Sequence, residues 1–123
     1  MKEVTTSIIE NKALLQGDNH FETGAILLTA GQEVKEGAYL KRWEGKFALL
    51  TDIEKEEVVA IVPVTTKNTQ STPVTVSLRA CIDGKVRADM LHINGTPANA
   101  DEIDLLRKYG FTPIYANDMS RTE

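Results

Sequence analysis

The sequence predicts a β-rich α+β domain, a small barrel- or sandwich-like body with one C-terminal helix and an N-terminal arm. Three observations carry that prediction. Val74, Val76, Leu78, Ala80 and Ile82 alternate with Thr75, Ser77, Arg79, Cys81 and Asp83, the period-two pattern of a strand with one apolar face. Glycines at 31, 37, 45 and 84 punctuate short apolar runs, as tight turns that need positive φ require. Helical spacing is confined to the C-terminal part, where Ile103, Leu106 and Tyr109 recur.

Residues 1–23 read as the arm and 24–123 as the folded domain. Ile8, Ile9, Leu14 and Leu15 are the large aliphatics of the arm and sit among polar residues. Their spacing fits neither a helical stripe nor strict alternation, and Gly17-Asp18-Asn19 then breaks the chain. Such a segment either waits for a partner or packs back on its own domain, and the pattern leaves both open.

Ala25 to Thr29 reads as a strand. The turns Thr29-Ala30-Gly31-Gln32 and Lys35-Glu36-Gly37 then bracket Val34. Ala38 to Trp43 and Lys46 to Thr51 flank Glu44-Gly45, a hairpin signal, with Trp43 and Phe47 expected to pack beside the turn. Glu54 to Glu57 is a solvated charged turn. Val58 to Val64 suits a buried strand, with Pro63 marking its exit. Thr65 to Pro73 is a polar loop. After the alternating strand, Asp83-Gly84 reads as its end and Lys85-Val86 as the start of a return strand. Asn94-Gly95-Thr96-Pro97 is a turn. Asn99 caps the helix, and Asp101, Glu102 and Asp104 lie where the helix dipole favours negative charge. Arg107 and Lys108 occupy its last turn and Gly110 its C′ position. Phe111 to Tyr115 is a last short strand, and Ala116 to Glu123 reads as a frayed tail.

Composition narrows the function. With 123 residues the chain fits one domain, which at this size buries roughly two-thirds of its unfolded surface without metal or disulfide staples. The net charge of −4 argues against nonspecific nucleic-acid binding, which needs a basic footprint. One cysteine allows no internal disulfide. The apolar runs are too short to span a bilayer. The Met1-Lys2-Glu3 start carries no apolar signal segment, so the expected compartment is the cytoplasm in which the chain is made.

Candidate chemistry is sparse. Cys81 falls on the polar side of its strand with Arg79 nearby, weak support for a reactive thiol and better read as a small inert side chain. His20 and His92 have no ligand spacing to each other or to Cys or Asp, so no metal site is expected. The acidic cluster at 101–104 is explained by the helix start. Asn94-Gly95-Thr96 matches a glycosylation sequon but reads as a turn. No catalytic or cofactor fingerprint is present. These residues point to a protein that binds rather than one that transforms, with no cofactor.

Several residues, taken in order, resemble a known family. Gly17-Asp18, Thr23, Leu28-Thr29-Ala30-Gly31-Gln32, Val34, Lys35, Gly37, Ala38 and Leu40 resemble the opening of the bacteriophage lambda-type head decoration proteins. Gly45-Lys46-Phe47 is similar to their short hairpin, and Val59-Ala60-Ile61-Val62 to their buried strand. Val74 to Leu78 followed by Asp83-Gly84-Lys85-Val86, and Leu106-Arg107-Lys108-Tyr109-Gly110-Phe111, resemble their later strand and closing element. The resemblance spans about residues 14 to 114. Lys41-Arg42, the polar segment Lys67 to Pro73 and the tail beyond Ile114 depart from it.

The resemblance implies a structural virion protein rather than an enzyme. It would be a homotrimer on the outer surface of the expanded capsid, at local three-fold sites, cementing the major capsid protein against internal DNA pressure. It would touch neither membrane nor nucleic acid. Residues 1–23 would be the capsid-docking arm, with Ile8, Ile9, Leu14 and Leu15 as anchors and added backbone pairing as the source of affinity. Two alternatives stand beside it. One is a small ligand-binding or carrier module, because Gly31 to Gly37 faintly resembles the turns of lipoyl-type sandwiches, although no Lys sits in the expected hairpin tip. The other is an enzyme with its site at a subunit interface.

Overall fold

Two long strands, β1 (Leu15–Leu28) and β7 (Val74–Arg87), form the spine of the fold in a computed structural model that describes residues 14–115. They run antiparallel, from the pair Leu15↔Val86 to the pair Leu28↔Val74. Between them the chain makes β2 (Glu33–Val34), β3 (Tyr39–Trp43), β4 (Lys46–Leu49), β5 (Ala60–Ile61) and β6 (Thr66–Lys67). After β7 come β8 (His92–Ile93), β9 (Thr96–Pro97), the helix α1 (Ala100–Leu105) and β10 (Phe111–Ile114). The main sheet has the order β1-β4-β3-β5-β7-β10, and β1 pairs with β7 as well. The circuit this creates is seamed by single pairs, Ile26↔Phe47 between β1 and β4 and Ile61↔Cys81 between β5 and β7. The molecule is therefore a strongly curled six-stranded sheet rather than a regular barrel.

Local chemistry accounts for the elements. Both two-residue hairpin turns, Glu44-Gly45 (φ 51° and 78°) and Asn94-Gly95 (φ 50° and 88°), have positive φ at each central residue, the geometry that matches strand twist. Asn99 caps α1 with a complete capping box: its side chain accepts from the Glu102 amide at 2.9 Å and the Glu102 carboxylate accepts from the Asn99 amide at 2.9 Å. A 3₁₀ turn, Leu106–Tyr109, extends the helix to Gly110, which closes it at φ 97°. Of the apolar run Val58 to Val64, Val58, Ala60, Ile61 and Val62 are buried while Val64 is exposed, and only Ala60–Ile61 joins the ladder. Val59 and Val62 instead donate single bonds to the carbonyls of Leu40 and Ala38. The polar loop Thr65 to Pro73 contains β6, which pairs with β2.

The core lies in two clusters. One gathers Ile26, Leu28, Leu40, Phe47, Leu78 and Ala80; the other gathers Leu14, Tyr39, Ile61, Cys81, Val86 and Phe111. Ala80 and Cys81 are neighbours on β7 and so point to opposite faces, yet both are fully buried. The strand therefore has a core on each side at this point. A register shift between His20↔Asp83 and Phe21↔Cys81 leaves Ile82 as an extra residue. That bulge changes the phase of the strand and brings Val86 onto the side of Cys81.

Four expectations need correction. Cys81 is core, not polar surface, because both faces of β7 are covered. Asp83-Gly84 does not end a strand: β7 runs on to Arg87, and Lys85-Val86 belongs to it rather than to a return strand. Gly84 is needed for close approach, since a Cβ there would stand 2.9 Å from the Asn19 Cα across the ladder. The arm does not extend to residue 23, because residues 15–23 are the first part of β1 and Leu14 is buried beside them. Finally, Trp43 and Phe47 do not pack together. Trp43 pairs with Lys46 and Phe47 with Arg42, so the two rings belong to different cross-strand pairs. Phe47 is core, and Trp43 is 56 % exposed.

Candidate functional site

Of the four predicted anchor residues, Ile8 and Ile9 lie outside the described residues, as does the tail from Ala116 to Glu123. Leu14 is part of the second core cluster, and its carbonyl accepts from the Arg87 amide at 2.8 Å. That bond ties the first described residue to the end of β7. Leu15 is half-buried and packs against the same cluster. The structure thus separates the predicted anchors: Leu14 and Leu15 belong to the domain. The predicted turn glycines, Gly31, Gly37, Gly45, Gly84 and Gly110, all have positive φ.

Leu15 also lines a shallow groove of about 240 Å³. Its walls include Phe21, Pro63, Val64, Leu78 and Arg79. Val64 is 68 % exposed at this groove, the most exposed large aliphatic side chain among the described residues. The Arg79 guanidinium lies 3.8 Å from the centre of the Phe21 ring, a stacked cation–π contact that leaves its N–H edge outward. The surface next to the domain's starting point is therefore apolar with a positive rim. Sequence reading did not find it, because Phe21, Val64 and Arg79 come together only through the β1–β7 pairing and the exit from β5.

A larger cleft of about 390 Å³ lies between β2 and the β8–β9 hairpin. Val34, Ala38, Leu49 and Leu91 give it apolar walls, and Glu33 and Lys35 stand at its edge. The His92 Nε2 donates to the Glu36 carbonyl at 3.1 Å, and its buried Nδ1 has no hydrogen-bond partner among the described residues. Among the described residues, no Ser, Thr or Cys side chain lines the cleft beside it.

The remaining candidate groups have structural explanations. Burial pushes the Cys81 thiol up, and its Sγ donates to the Asp83 carbonyl at 3.3 Å, the opposite of an activated thiolate. His20 Nδ1 lies 2.5 Å from Asp83 Oδ1, and that hydrogen bond holds the exposed imidazole above its ordinary pKa. Glu56 organises the loop after β4. One carboxylate oxygen accepts from the Thr51 and Asp52 amides, both at 3.0 Å, and the other pairs with Lys41. The Lys41 contact and these two amides lower the Glu56 pKa to about 2. No group of three or more His, Cys, Asp or Glu side chains among the described residues is placed to hold a metal. No described helix is long and apolar enough to cross a membrane.

No family model, curated protein or solved structure matches this chain.

Proposed function

We propose that the chain is a capsid decoration protein. It binds the outer surface of an expanded phage head as a trimer at local three-fold sites and cements neighbouring major capsid subunits. One observation supports the reading beyond the resemblance: Leu14, the first described residue, is already buried in the core. The segment before it still holds the adjacent pair Ile8-Ile9 in polar surroundings. An apolar pair ahead of the described core suits docking to another protein, with backbone pairing supplying affinity. The docking arm is accordingly residues 1–13, shorter than the sequence implied. The protein works on the virion surface after passing through the host cytoplasm, without cofactor, membrane or nucleic acid.

The test is co-sedimentation with expanded heads of the phage that carries the chain, stripped of decoration. The intact chain saturates them at a ratio set by the three-fold sites and raises their resistance to heat, and a chain lacking residues 1–13 does neither. The β2/β8–β9 cleft favours a second reading, a small-molecule binding module, which the same material tests by ligand-induced shifts in the melting temperature.

A further inference from the structure

We propose that the β3–β4 hairpin tip of one copy, carrying Trp43, seats in the Phe21–Val64 groove of the next copy, with Glu44 meeting Arg79. The inference deepens the decoration reading by naming the self-contact that closes the ring.

Three observations meet here. Trp43 is 56 % exposed and sits beside a turn whose two residues both have positive φ, so a large apolar ring is presented on a stiff support. The groove has complementary character: Phe21, Pro63 and Leu78 are apolar, Val64 stands exposed, and its volume of about 240 Å³ suits a single large side chain. The charges also match. Glu44 follows Trp43 directly and has no partner among the described residues. The Arg79 guanidinium at the groove stacks on Phe21 but has no carboxylate partner among the described residues. Arginine holds an aromatic face and a carboxylate edge at once, so Arg79 stacks on Phe21 and donates to the Glu44 carboxylate together.

The two patches are separate. Trp43 borders a cleft with Lys55 and Val59, and none of that cleft's residues lines the Phe21–Val64 groove. A knob in one place and a groove in another generate a heterologous contact, which gives a ring when the rotation closes. Burying one such aromatic removes about 150–250 Å² from water, against about 800 Å² per partner in a standard interface. Trp43 is therefore the anchor, and the hairpin around it supplies the rest.

Trp43 is the chain's single tryptophan, so its emission reports the contact directly. The experiment is sedimentation equilibrium with parallel fluorescence across a dilution series of the full chain. The expected result is a trimer with blue-shifted emission that dissociates to a red-shifted monomer. Trp43→Ala and Val64→Lys change exposed positions, and circular dichroism verifies that both remain folded. Each weakens association roughly thirtyfold, the usual loss at an aromatic hot spot. Glu44→Arg and Arg79→Glu each weaken it, and the double variant carrying both substitutions, which restores an opposite-charge pair at every contact of the ring, recovers association. A wild-type monomer at every concentration, emission unchanged between monomer and trimer, or association indifferent to both Trp43→Ala and Val64→Lys overturns the proposal. Head binding separates it from the functional reading. Val64→Lys protein that attaches to heads as firmly as wild type sinks only this contact. A Trp43-anchored trimer that never binds heads sinks only the capsid role.

Discussion

Gly24 lies directly against the ring of Phe47: a Cβ on residue 24 would stand 2.6 Å from Cε2 of that ring. The contact lies where β1 meets β4, a seam held by the single ladder pair Ile26↔Phe47. A missing side chain on one strand thus makes room for an aromatic on the other, and the curled sheet closes over it. Phe47 is buried on this side, while Arg42 lies 5.1 Å from its ring centre. Gly24→Ala forces the ring to move in a packed core and is expected to cost about 1–3 kcal/mol. Urea unfolding of the two proteins measures this. A variant as stable as wild type would mean that the seam is looser than described.

Asn68 holds the loop between β6 and β7 to the end of β1. It is buried, and its Nδ2 donates toward the carbonyls of Leu28, Thr29 and Thr72 at 3.1, 2.9 and 2.9 Å, while Oδ1 accepts from the Gln70 amide. Asn68→Ala strands these groups, at about 1–3 kcal/mol for each one left buried and unpaired. Faster amide exchange concentrated in residues 65–73 is the expected signature. Uniform acceleration across the sheet would show that Asn68 supports the whole fold instead.

The Glu56 staple makes stability depend on acid. Its pKa falls from 4.5 to about 2 in the folded chain. A depressed carboxylate adds stability that is complete above the unfolded pKa, declines as pH falls below it and is gone once the folded pKa is passed. Glu56→Gln is therefore expected to be less stable than wild type at neutral pH, with the gap narrowing between about pH 4.5 and 2. Thermal melts across that range test the sign. His20 has the opposite sign: its pKa is raised by Asp83, so its contribution is present below 6.5 and fades as pH rises through the folded value.

Truncation distinguishes the arm from the domain. Removing residues 1–13 is expected to leave the melting temperature near that of the full chain. Removing residues 1–23 also takes Leu14, Phe21 and the first part of β1. Loss of a buried leucine alone typically costs about 2–5 kcal/mol, so the longer deletion is expected to unfold at room temperature. Equal melting of both truncations would return the arm boundary to residue 23.

Features written in local chemistry were legible from the sequence. The Asn99 cap, the Gly110 stop and the Glu44-Gly45 hairpin each depend on residues within a few positions of one another, and each is found as expected. Features that depend on a distant strand were not. Asp83-Gly84 has the composition of a turn, but Asn19 lies across the ladder and holds the pair in line. Alternation set Cys81 opposite Ala80, but only the fold shows that a second core cluster covers that face as well. Leu14 and Leu15 lack local partners because their partners are Val86 and Arg87, far along the chain. Of the four predicted anchors, Leu14 and Leu15 fall in the domain, and Ile8 and Ile9 lie outside the described residues. The Phe21–Val64 groove is a product of topology, invisible to spacing.

The proposed role of residues 1–13 is to attach the described domain to a capsid. Its most direct measurement is the binding of the full chain and of an Ile8→Ser, Ile9→Ser variant to undecorated expanded heads, with melting curves of both free proteins recorded alongside. The expected result is saturable binding by the full chain, binding by the variant that is weaker by at least roughly tenfold, as on losing buried aliphatic anchors, and superimposable melts. Equal binding by both proteins, or a variant that has lost stability in step with binding, would contradict it.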